Sequence, residues 1–225
     1  MNRQELLKNA KPILFNTGMV KAILDGKKSC TRRVVKLKDI QDVLNSSVRI
    51  ESPNISDNQC IRCLCTAPYD AGDILYVRET FFKEDCTPSC EGQSDANECQ
   101  FMRIGNYCYG YKEQYAGVAA NLKWRPSIHM PKDAARIFLK VTDVRVERLQ
   151  NITEEQAQKE GAPFMSTPWV AGKGDSYIQG FGYLWDEIYN PKHPVRYESD
   201  NTVFYGWKAN PWVWVIKFER VTVDG

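Results

Sequence analysis

A mixed α/β fold is predicted from three features of the 225-residue sequence. Apolar runs at residues 74–81, 135–149 and 212–218 read as strands. Amphipathic segments near residues 17–26, 151–161 and 181–188 read as short helices, the first two stopped by Gly26 and Gly161. Turn chemistry at Pro68-Tyr69-Asp70-Ala71-Gly72-Asp73 separates the polar region before it from the strand that follows.

In chain order, Pro12-Ile13-Leu14-Phe15 is the first short strand. Asn16 or Thr17 then caps a helix whose Met19, Val20, Ile23 and Leu24 share one face. Gly26 ends it, because the residue beyond a helix often takes a left-handed conformation that glycine adopts without a clash. Lys27, Lys28, Ser29, Cys30, Thr31, Arg32 and Arg33 follow and lead into a strand at Val34-Val35, so their side chains project from a junction between rigid elements. Residues 36–59 are polar and read as a loop or short helical excursion.

The strand at 74–81 carries Arg78 and Glu79 at its polar end. Neighbouring strand residues face opposite ways, so only one of the two need point into a central cavity, the alternative being a surface ion pair or a contact between elements. Residues 83–111 have few aliphatics and read as a Cys-rich insertion, with Tyr107-Cys108-Tyr109-Gly110-Tyr111 returning the chain to the main sheet. Trp124-Arg125-Pro126-Ser127-Ile128-His129-Met130-Pro131 is a constrained loop.

The long strand at 135–149 changes its alternation at Thr142-Asp143. Asn151 or Thr153 caps the next helix, Glu154 and Glu155 suit its first turn, and Gly161 follows Glu160 at its end. A glutamate there is disfavoured by the helix field, so Glu160 reads either as a surface glutamate or as one with a directed role beside the stop. Residues 163–182 wrap an opening, and Phe181, Leu184, Trp185 and Ile188 form another short helix. Trp212, Trp214, Ile216 and Phe218 lie on one face of the closing strand, which reads as core.

Thirty Lys plus Arg against 28 Asp plus Glu leave a net charge of +2, which excludes an extended basic tail but not a local basic cleft. No run approaches the roughly 20 apolar residues of a membrane span. The opening Met1-Asn2-Arg3-Gln4-Glu5-Leu6-Leu7-Lys8 is too polar for a secretory signal, so a soluble cytoplasmic protein is the expectation. All eight cysteines fall between Cys30 and Cys108, where metal binding is a stronger reading than a disulfide framework in a reducing compartment.

Five motifs occur in a distinctive order: Ile23-Leu24-Asp25-Gly26-Lys27-Lys28-Ser29-Cys30-Thr31-Arg32-Arg33, Gly72-Asp73-Ile74-Leu75-Tyr76-Val77-Arg78-Glu79-Thr80, the Trp124 to Pro131 loop, Ile152-Thr153-Glu154-Glu155-Gln156-Ala157, and Asn210-Pro211-Trp212-Val213-Trp214-Val215. Together they resemble the ASCH superfamily, in particular its larger phage or prophage proteins often labelled morphogenetic, from about Pro12 to Val221. The resemblance implies one ASCH domain over residues 1–225, built as a PUA-like β-barrel with peripheral short helices and long insertions. It implies RNA-related function in the cytoplasm of a bacterial host or prophage setting.

Small ASCH enzymes hydrolyse the acyl amide of N4-acetylcytidine, and matching their motif carries the catalytic lysine, threonine and glutamate onto Lys28, Thr31 and Glu160. In that scheme Thr31 attacks, neutral Lys28 takes its proton and Glu160 orients the reacting groups. The first expectation is RNA or modified-nucleoside binding in a basic pocket at the barrel rim, with Lys27, Arg32, Arg33, Arg78, Glu79, Trp124, Arg125 and His129 contacting substrate. Alternatives are an amide hydrolase for an N4-acylated cytidine-like substrate and a structural phage-associated protein. No organic cofactor and no protein partner is assigned.

For metal, Cys86, Cys90, Cys99 and Cys108 are the preferred ligands of a structural zinc restraining the insertion, with Cys60, Cys63 and Cys65 a second thiol group. His129 reads first as a satisfied loop residue and His193 as a surface residue. Cys30 has no local base and is a weak alternative nucleophile.

Overall fold

The computed structural model describes residues 2–36, 55–86, 101–115, 122–166, 174–189, 195–196, 202–203 and 205–223. In chain order the elements are α1 (Arg3–Asn9), β1 (Lys11–Leu14), α2 (Thr17–Leu24), β2 (Cys30–Val34), α3 (Asp57–Leu64), β3 (Ile74–Arg78), β4 (Phe81–Asp85), β5 (Met102–Ile104) and β6 (Tyr107–Tyr111). There follow β7 (Phe138–Arg148), α4 (Glu154–Lys159), α5 (Tyr177–Tyr189), β8 (Val195–Arg196), β9 (Thr202–Val203) and β10 (Trp212–Val221). Two compact units interleave in sequence: residues 1–26, 73–140 and 219–225 form one, and residues 27–72 and 141–218 the other.

In the first unit, β1 runs parallel to β3, with Ile13 opposite Val77. β3 pairs antiparallel with the start of β7, Leu75 opposite Leu139. Asn16 caps α2 by accepting from the Met19 amide, and Gly26 closes it at φ 71°. β4, β6 and β5 form a separate antiparallel sheet, so the described ends of the expected insertion make their own ladder instead of rejoining the main sheet. The core here gathers Leu6, Phe81, Tyr109, Tyr111, Met130 and Phe138.

In the second unit β10 pairs antiparallel with β2, placing Val215 opposite Arg32 and Ile216 opposite Thr31. The closing strand is buried on both faces from Trp212 to Ile216, not along one stripe, because Val213 and Val215 sit in a core with Leu149, Ala157, Phe181 and Trp185. Helix α5 starts at Tyr177, earlier than its apolar spacing suggests, and Gly180 permits this. A Cβ at that position would stand 1.9 Å from the Pro163 carbonyl oxygen. Helix α3 is also longer than the excursion expected before residue 59. Ser56 and Gln59 form a capping box, and Cys60 and Ile61 are buried.

The strand order β1–β3–β7–β10–β2 ends in β1 at one edge and β2 at the other, and β4–β6–β5 is likewise unclosed. The expected PUA-like barrel is therefore corrected to a mixed α/β fold with open sheets. Strand periodicity establishes which residues are extended, but closure depends on long-range pairing that no local pattern encodes. Among the described residues no helix is long and apolar enough to cross a membrane.

Candidate functional site

The most concentrated buried chemistry lies in the second unit, where the segment after Gly26 meets the end of α4. Thr153 caps α4 by accepting from the Gln156 amide, and Gln156 answers at the cap. The helix then ends at Glu160, followed by Gly161 at φ 77°. The Ser29 amide donates to the Lys159 carbonyl at 2.9 Å, and Lys28 forms an isolated bridge with Glu160. Backbone bonding thus fixes the two segments before any side chain meets.

Lys28 then donates to Glu160 Oε2 at 2.7 Å, to the Glu160 carbonyl at 2.9 Å and to the Cys30 carbonyl at 2.8 Å. Arg32 donates to Glu160 Oε1 at 2.9 Å, to Glu147 Oε1 at 2.6 Å and to Gln156 Oε1 at 2.7 Å. Lys28, Arg32 and Glu160 are 3%, 2% and 7% exposed, so this is a buried cluster of two cations and two carboxylates. Burial opposes the charge on Arg32, but Glu160 and Glu147 more than offset it and hold its pKa above the ordinary value. The Nε of Arg32 is buried without a hydrogen-bond partner, a donor left open within an otherwise paired network.

Strand geometry sorts the neighbouring residues. Side chains alternate along β2, and Cys30 and Arg32 both reach toward α4, the Cys30 thiol donating to the Gln156 carbonyl at 3.8 Å. Thr31 and Arg33 take the opposite face, where Arg33 Nη1 donates to Thr31 Oγ1 at 2.8 Å. The structure brings Lys28, Arg32 and Glu160 together and places the Thr31 hydroxyl with Arg33. Burial and then Glu160 push the Cys30 thiol up to about 12, which leaves it a poor nucleophile at neutral pH. Glu147 and Gln156 carry no sequence signal for this role, because Gln156 occupies a capping position and Glu147 lies on an ordinary-looking charged strand edge.

The remaining expected contact residues are divided between the two units. Lys27 is exposed, Lys28 and Arg32 are turned inward to carboxylates, and Arg33 holds Thr31. In the first unit Arg78 donates to the Ile128 carbonyl, while Glu79 is buried and accepts two bonds from Arg136, at 2.9 Å and 2.8 Å. Trp124 packs edge-on against Phe82, and Arg125 exchanges backbone bonds with Phe81. His129 ends a short 3-10 turn and is exposed. With no closed barrel there is no rim, and the basic barrel-rim pocket for RNA or a modified nucleoside is withdrawn. Of its cations, Arg32, Arg33 and Arg78 are bonded to internal acceptors.

The zinc expectation is corrected as well. Among the described residues no group of three or more His, Cys, Asp and Glu side chains is arranged to hold a metal ion. Cys86 and Cys108 do meet, Sγ to Sγ at 3.0 Å, but Cys90 and Cys99 lie outside the described residues, as does His193. Cysteine spacing alone did not distinguish ligands converging on an ion from a pair facing each other across a ladder.

Comparison with known proteins finds no matching family model, no matching curated protein and no matching solved structure.

Proposed function

We propose that the chain is an acid–base enzyme for a small acyl compound, with Lys28 and Glu160 as its proton-transfer pair. The 2.7 Å contact between their side chains carries the reading. The resemblance to the ASCH superfamily assigns the same two residues to one site. A water molecule would give its proton to the Glu160 carboxylate while attacking the acyl carbon, and the Lys28 ammonium would protonate the departing group. The open Arg32 Nε supplies a donor for the oxygen that gains charge during attack. Substrate has to displace the resting Lys28–Glu160 contact, because that contact and two carbonyls already occupy the ammonium. This scheme uses the β2 face of Arg32 and leaves Thr31, held by Arg33 on the other face, outside the bond-making steps.

That complete internal pairing of Lys28 also favours a second reading, in which the cluster only clamps α4 to β2. Turnover of a panel of small amides and esters separates the two. Glu160→Gln and Lys28→Met should each lower kcat by about 10²–10⁴-fold in protein that remains folded, whereas Thr31→Ala should retain turnover. Loss of turnover in Thr31→Ala, rescued by Thr31→Ser, would replace water by the threonine hydroxyl. Absence of wild-type turnover, combined with unfolding of the Lys28 and Glu160 variants, would favour the clamp.

A further inference from the structure

A second reactive arrangement lies in the first unit. Cys86 follows directly on β4 and extends its ladder, its amide donating to the Asn106 carbonyl at 2.8 Å. Cys108 sits in β6 opposite Glu84. The two thiols therefore lie diagonally across adjacent strands of one ladder, with their sulfurs 3.0 Å apart. A disulfide needs roughly 2.0 Å, so about 1 Å of side-chain adjustment separates the contact from a bond. Exposure differs in a useful way: Cys86 is partly accessible and Cys108 is buried. An external reagent meets Cys86 first and finds Cys108 already positioned behind it.

We propose that Cys86 and Cys108 are a reversible dithiol–disulfide pair that exchanges with small-molecule disulfides and, when oxidised, fastens β4 to β6. The Cys86 thiolate attacks one sulfur of the external disulfide, forming a mixed disulfide and releasing one small thiol. The Cys108 thiolate then attacks the Cys86 sulfur and releases the second small thiol. Each cysteine gives up its proton on becoming the attacking thiolate, and the departing thiolates take up protons. Overall the protein dithiol is oxidised, the external disulfide is reduced to two thiols, and the bond closes a loop between residues 22 positions apart. The strands that it joins also carry Phe81 and Tyr111 of the first unit's core, so oxidation would stiffen the ladder beside that core.

The test uses the full chain, fully reduced and then equilibrated with mixtures of oxidised and reduced glutathione. Free thiols are trapped by alkylation, and non-reduced peptides are mapped by mass. The expected product is a Cys86–Cys108 linked peptide that disappears on adding excess reduced glutathione. Cys108→Ala should stall Cys86 as its glutathione adduct, roughly tenfold more abundant than in the wild type, because the resolving thiol is gone. Cys86→Ser should leave Cys108 unmodified in the folded protein. If Cys108→Ala fails to fold, amide exchange in the wild type takes its place, with β4 and β6 exchanging roughly tenfold more slowly in the oxidised form. Cys86 linked chiefly to Cys90 or Cys99, a persistent Cys86 adduct in the wild type, or both thiols remaining free in oxidised glutathione would each overturn the pair.

Discussion

Lys28 and Glu160 are 132 positions apart in sequence and meet at 2.7 Å, with the lysine side chain wholly buried and the glutamate nearly so. Glu160 also accepts from Arg32, so the carboxylate is held between two cations. Removing it takes the carboxylate at 2.7 Å from the buried Lys28 while Arg32 keeps Glu147, whereas removing Lys28 leaves Glu160 still paired with Arg32. Glu160→Ala is accordingly expected to lower the unfolding free energy by about 3–5 kcal/mol. Lys28→Met should cost less, about 1–3 kcal/mol. Urea unfolding of the two variants and of their double mutant measures the coupling. Equal losses with no coupling would show that the contact does not organise the cluster.

Local chemistry accounts for what the sequence made readable here. Gly26 and Gly161 are legible as helix stops because positive φ selects glycine, and both flank the segments that meet. Thr153 with Gln156 is legible as the start of α4 for the same local reason. The opposite faces of Arg32 and Thr31 follow from strand alternation, yet they become visible only once β2 is known to begin at Cys30. Sheet closure and the Glu147 and Arg136 partnerships depend on distant pairing, and a charged residue on a strand looks the same in sequence whether it faces solvent or a buried partner. Helix α5 shows the converse. Its two glycines weaken the local helix signal, but contact with Pro163 makes Gly180 necessary.

Cys30 provides a pH test. Its thiol is raised from 9.0 to about 12, first by burial and then by Glu160. A folded-state value above the unfolded one means that the contribution to stability is full below pH 9 and is lost as pH rises toward 12. Cys30→Ala should therefore flatten the alkaline decline in unfolding free energy over that window, whatever packing it loses at neutral pH. Alkylation gives an independent readout. At pH 8 the folded protein should label buried Cys30 far more slowly than the exposed Cys63. Comparable labelling rates in protein shown to be folded would contradict the assigned environment.

Gly180 and Gly18 make a matched pair of helix substitutions with opposite expected signs. At Gly180 an added Cβ meets backbone at 1.9 Å, and the Pro163 carbonyl cannot swing aside as a flexible side chain would. Gly180→Ala should destabilise by about 1–3 kcal/mol. At Gly18, in the first turn of α2, the nearest atom is the Asn16 side-chain oxygen at 3.6 Å, an ordinary contact. Gly18→Ala should be neutral or stabilising by up to about 1 kcal/mol, since alanine reduces the entropy lost on forming the helix. Thermal melts of the two variants decide the matter, and a rise in Tm for Gly180→Ala would mean that α5 does not approach Pro163 this closely.

Half-buried Arg136 and buried Glu79 form a second ion pair, with Arg136 also bonded to Glu113 and stacked over the Tyr111 ring at 4.4 Å from its centroid. Burial raises the Glu79 carboxyl above 4.5, and Arg136 opposes that rise. Arg136→Ala removes the opposition and leaves a carboxylate buried without its partner, so about 3–5 kcal/mol should be lost at neutral pH. The sign of the pH dependence follows from the raised folded value. Glu79's contribution to stability is present below its unfolded value near 4.5 and is lost as pH climbs through the folded one. The deficit of Arg136→Ala relative to wild type should therefore be smallest in acid and grow toward neutrality. Adding Glu79→Gln to that variant should remove the slope, because the amide carries no charge to desolvate, while the lost stacking on Tyr111 remains as a pH-independent cost. Urea unfolding of wild type, Arg136→Ala and the double variant across this range separates the two contributions. A deficit that stays constant with pH would place the whole effect in packing and none in the Glu79 charge.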